Sequence, residues 1–92
     1  MLEVFAINIC VPTKEGDFYD KVAINPHPII VWGRRSDLEN LLKSQQVIEW
    51  LKQHIRTEEV YSKAEYNIVK CNRDNTAEKI TLNCKELTGL IF

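Results

Sequence analysis

The stretch from Ser36 to Thr57 contains neither glycine nor proline and is rich in Leu, Lys, Gln and Glu. Those residues lose little rotamer freedom in a helix, so this stretch is expected to be the main helix, ending near Ile55 or Thr57. Its start matches a capping box, in which the Ser36 hydroxyl and the Glu39 carboxylate would satisfy helix-start amides reciprocally. At about 100° per residue, Leu38, Leu41 and Leu42 share one face, but Ile48, Leu51 and Ile55 centre roughly a third of a turn away. Val47, Trp50 and His54 form a further group beside that second stripe. Either the helix breaks near Ser44-Gln45-Gln46, or its C-terminal half is apolar over two faces.

Extended segments flank this helix. Leu2 to Val11 carries apolar residues at both parities, as a strand does when it is covered on both faces or central in a sheet. Pro12 to Asp20 reads as a loop or long hairpin connection around Gly16. Lys21 to Trp32 reads as a second extended segment, kinked at Asn25-Pro26-His27-Pro28, because alternate prolines remove backbone donors. Glu65 to Asn72 and Glu78 to Cys84 form a hairpin. Pairing Asn72 with Glu78 gathers Tyr66, Ile68, Ile80, Leu82 and Cys84 on one face and leaves Asn67, Val69, Cys71, Lys79, Thr81 and Asn83 on the other. The expected architecture is one α+β domain over residues 1–92, in the order β-β-α-β-β, with one main helix on one face of a small antiparallel sheet.

The overall charge weighs against one broad class of partner, though it leaves room for a small basic patch. Twelve Lys and Arg against thirteen Asp and Glu give a net charge of -1, so no global field draws the chain to nucleic acid. A hydrophobic fraction of 45% and a charged fraction of 27% suit a folded domain. The opening Met1-Leu2-Glu3-Val4 lacks the basic start of a signal peptide. Three cysteines, Cys10, Cys71 and Cys84, lack framework spacing, and are read as reduced thiols in the cytoplasm.

No residue pattern encodes a familiar chemistry. His27, His54 and the cysteines fall outside metal-ligand spacings, so neither a metal nor another cofactor is expected. A cysteine nucleophile would need a turn or helix N-terminus, whereas each cysteine falls in an expected strand; catalysis is therefore not expected. Two groups remain. Val47, Trp50 and His54, with the apolar tail around Leu90 and Phe92, would form a surface for contacts with another protein or a second copy of the chain, because tryptophan buries much area with few rotamers to freeze. The leading expectation is thus a small non-catalytic regulator or protein-binding module. The alternative is a phosphate or nucleic-acid binder, in which Arg34, Arg35 and Ser36 converge guanidinium groups and free amides on an anion at a strand-to-helix turn.

Overall fold

In the computed structural model, residues 3–15, 18–87 and 89 are described. The chain forms a mixed α+β domain around a five-stranded antiparallel sheet: β1 (Glu3–Glu15), β2 (Phe18–Ala23), β3 (Ile29–Gly33), β4 (Glu65–Cys71) and β5 (Ala77–Asn83). Between β3 and β4 lie a 3-10 turn (Arg35–Asp37) and three helices, α1 (Leu38–Leu42), α2 (Gln45–His54) and α3 (Glu58–Lys63). A short α4 (Cys84–Leu87) follows β5. The order is therefore richer than the β-β-α-β-β expected.

β1 is central, as its apolar residues at both parities imply. One edge pairs with β4 from Phe5 to Cys10. Its other edge serves two strands in succession, β3 opposite Glu3 to Ile7 and β2 opposite Cys10 to Glu15. Residues 12–15 and 18–20 are strand rather than loop, with Glu15 paired to Phe18. Pro12 is tolerated because its missing donor points to the β4 side, where pairing has already ended at Cys10.

The long helix is three helices. A continuous one would carry Gln45, Gln46 and Glu49 onto the face of Leu38 and Leu42. The chain instead turns at Lys43 and extends at Ser44 (φ -63°, ψ 154°), which re-phases the face so that Val47 and Leu51 are buried. The expected capping box does not form: Ser36 lies inside the 3-10 turn, and neither that turn nor α1 has a side-chain cap. A distant strand contributes instead, since Arg35 N–H donates to the Glu3 carboxylate at 3.0 Å.

The β4–β5 hairpin keeps the expected faces but not the expected pairs. Tyr66 opposes Leu82 and Ile68 opposes Ile80, a shift of two residues from pairing Asn72 with Glu78. Such a shift preserves side-chain parity. The tighter Asn72–Thr76 loop produces it, closed by Asn72 N–H to the Thr76 carbonyl at 2.8 Å and by Asn75 in the left-handed region (φ 65°). Cys84 leaves the strand and begins α4.

All helical burial falls on one sheet face. Phe5, Ile7, Ile9, Ile29, Val31, Tyr66 and Ile68 meet Leu38, Leu42, Val47, Leu51, Ile55 and Tyr61 in one core. Each large apolar side chain removed from water there contributes roughly 1.5–3 kcal/mol. Tyr61 also donates its hydroxyl to the Cys84 carbonyl at 3.0 Å, which ties α3 to α4. Among the described residues, no helix is long and apolar enough to cross a membrane.

Candidate protein-contact surface

The strand register fixes what the opposite, outer face of the sheet presents. Residues directly opposite each other in an antiparallel pair share a face. Trp32 on β3 therefore lies beside Val4 on β1. The next row runs Ile30, Ala6, Val69 and Lys79 across β3, β1, β4 and β5, and the third joins Asn8, Asn67 and Thr81. The outer face is thus apolar at its β3 corner and polar beyond.

The polar half is organised by its own hydrogen bonds. Asn67 accepts from the Thr81 hydroxyl at 3.0 Å and donates to Cys10 Sγ at 3.0 Å. The apolar corner faces solvent: Trp32 is 64% exposed and Ile30 45%. Val4, Ala6 and Val69 are half-buried.

Of the residues singled out in the sequence, Val47, Trp50 and His54 lie on α2, on the helical side of the sheet and not at this corner. Val47 is fully buried in the core and cannot reach a partner. Trp50 is half-buried against that core. His54 is exposed and stacks on Trp50, with ring centroids 4.1 Å apart and planes 8° from parallel, while its Nδ1 lies 2.9 Å from the Trp50 carbonyl oxygen. Helix α2 therefore uses its own histidine to cover the tryptophan. Leu90 and Phe92 lie outside the described residues.

The strand-to-helix turn is electrostatically occupied. Arg35 gives its amide to Glu3, and its guanidinium lies 3.7 Å from Glu78. Lys70 joins the group, 2.7 Å from Glu3 and 3.8 Å from Glu78. The Lys70 ammonium holds the Glu3 carboxyl below its usual range, and the Lys70 pKa is raised in return. The Glu3 carboxylate already accepts the Arg35 amide, one of the donors an anion at this turn would use. Arg34 and Ser36 remain exposed.

Burial pushes the Cys84 thiol up to about 12, which leaves it protonated at neutral pH. Cys10 is buried and Cys71 exposed, and among the described residues no cluster of three His, Cys, Asp or Glu is placed to hold a metal ion.

Sequence reading passed over Trp32 and Ile30 because it treated Ile29 to Trp32 only as a strand. The available signal was the pleat itself. A strand in a sheet with helices on one face must turn alternate side chains to the other, and in IIVWG those are Ile30 and Trp32. Comparison of the chain with protein-family models, curated proteins and solved structures finds no match.

Proposed function

We propose that this protein is a small binding module that acts through protein contacts rather than catalysis, and that its contact surface is the apolar corner of the outer sheet face. The observation that carries this reading is Trp32, 64% exposed beside Ile30 at 45%. A large amphipathic ring held on a rigid strand gives contact area at little entropic cost, the property that enriches tryptophan at interface hot spots. The rim suits a protein partner: Asn8, Asn67, Thr81 and Lys79 surround the apolar residues with hydrogen-bonding groups. The surface differs from the one expected on α2, where the Trp50 ring is already stacked by His54.

The test is affinity capture from native lysate with wild type, Trp32→Ser and Trp50→Ala as bait. The reading expects a stoichiometric protein retained by wild type and Trp50→Ala and lost with Trp32→Ser, whose far-UV circular dichroism stays native. Equal recovery by Trp32→Ser overturns it.

A further inference from the structure

The free edge of β3 adds a specific partner to that surface. Ile9 N–H donates to Asn25 Oδ1 rather than to a strand carbonyl, and the carbonyls of Ile7 and Ile9 accept from Asn25 Nδ2 and Ile24 N. The backbone groups of odd-numbered β1 residues therefore point toward β3 and β2. Since Phe5 opposes Val31 and Ile7 opposes Ile29, the N–H and C=O of Ile29, Val31 and Gly33 are the ones turned to β1. Alternation then turns the N–H and C=O of Ile30 and Trp32 outward, where β3 has no neighbouring strand among the described residues.

An open edge is normally guarded by charge, proline or a bulge. The other edge strands carry charges, Glu78 and Lys79 on β5 and Asp20 and Lys21 on β2. β3 reads IIVWG and carries none.

We infer that β3 pairs antiparallel with β3 of a second copy of this chain, about a two-fold axis through Val31, and joins two sheets into one. This rests on the reading that the Trp32 corner is a contact surface, and it names the occupant. The strand is self-complementary in this register. Ile30 meets Trp32 of the second copy twice across the axis, so the two most exposed apolar residues of the corner cover each other on the outer face. Ile30 and Trp32 are also the residues whose backbone groups point outward, so each such pair exchanges both of its N–H···O bonds. On the inner face bulky Ile29 falls opposite Gly33, and beyond the strand Arg34 falls opposite Pro28, so no like charges meet.

Five residues of strand bury well under the roughly 800 Å² per partner of a standard interface, so the dissociation constant should be on the order of 10–100 µM. Sedimentation velocity between about 5 and 500 µM spans that range. The discriminating variant is Ile30→Pro, which deletes an outward donor while leaving the β1 ladder intact. Trp32→Lys, which places a guard charge on the same edge, is the second variant should the proline perturb folding. Expected is a concentration-dependent dimer for wild type, weakened at least tenfold in both variants, with native circular dichroism. Wild type monomeric throughout, or dimers unchanged in the variants, overturns the pairing. A monomeric wild type whose lysate capture still depends on Trp32 overturns the second copy and leaves the contact surface standing, whereas loss of both removes the surface as well.

Discussion

Asn25 does at the residue scale what no strand does in this sheet. One edge of β1 changes partner from β3 to β2, and at the change Ile9 N–H has no strand acceptor opposite it, just beyond the last β3 pair at Ile7 and Ile29. The Asn25 side chain carries a donor and an acceptor on one short stem. It accepts from Ile9 N at 2.9 Å, donates to Ile7 O at 3.1 Å and also donates to the His27 carbonyl at 2.8 Å. It is buried, so water does not compete freely for these bonds. The flanking prolines, which take the chain out of strand pairing, thus come with the residue that repairs the ladder. Asn25→Ala should lower unfolding free energy by about 1–3 kcal/mol, because the buried Ile9 N–H loses its partner. Asn25→Asp should cost more, since a carboxylate oxygen would face two carbonyls where the amide now donates. Urea denaturation reads both, and a loss under about 0.5 kcal/mol for Asn25→Ala would show that water replaces the amide.

At the element scale, helix caps separate what pattern reveals from what it hides. Ser44 and Thr57 are both extended N-cap residues of types that favour the position. Thr57 Oγ1 accepts from Val60 N at 3.2 Å, whereas the Ser44 hydroxyl is buried without a hydrogen-bond partner. Thr57→Ala should therefore cost about 1 kcal/mol and Ser44→Ala nothing, or stabilise slightly, because it removes an unpaired polar atom. Thermal melts of the two variants check the difference; equal losses would mean that Ser44 caps α2 after all.

The sequence made legible whatever rests on periodicity. The kink at Asn25–Pro28 and the faces of the β4–β5 hairpin follow from proline and apolar spacing, and that spacing narrowed β1 and the helix near Ser44 to two alternatives each, of which a central β1 and a broken helix are found. It hid what rests on tertiary partners. Glu3 reaches the helix start from a strand 32 residues away and displaces the Ser36–Glu39 capping box. The loop chemistry of Asn72–Thr76 set the hairpin pairs, and no spacing distinguishes a shift of two. For the candidate surface, Trp50 drew attention as an aromatic on a two-faced helix, while Trp32 depended on knowing which sheet face the helices cover.

Across the whole molecule, the helices that pack in the core take one sheet face, the dry side, and the other face carries the exposed Ile30 and Trp32. The charged group of Glu3, Lys70, Glu78 and Arg35 closes the end of the dry side. It joins β1, β4, β5 and the 3-10 turn, four elements that the apolar core holds only further in. Its pH dependence follows from the direction of each shift. Glu3 has a folded pKa below its ordinary 4.5, so its stabilisation is present above that value and is lost as pH falls through the lower folded one. Lys70 has a folded pKa above its ordinary 10.5, so its share is present below 10.5 and is lost only as pH rises through the higher folded value. Asp74, held low mainly by the Thr76 hydroxyl and amide, adds to the acid limb alone. Glu3→Gln should therefore lower the melting temperature at neutral pH and flatten its fall on acidification, bringing variant and wild type together once pH falls below the lowered folded pKa of Glu3. Asp74→Asn should flatten the same limb without touching the alkaline one. Melting curves from about pH 3 to 11 test both arms. A Glu3→Gln profile parallel to wild type through the acid range would show that Lys70 and Arg35 draw no net stability from that carboxylate.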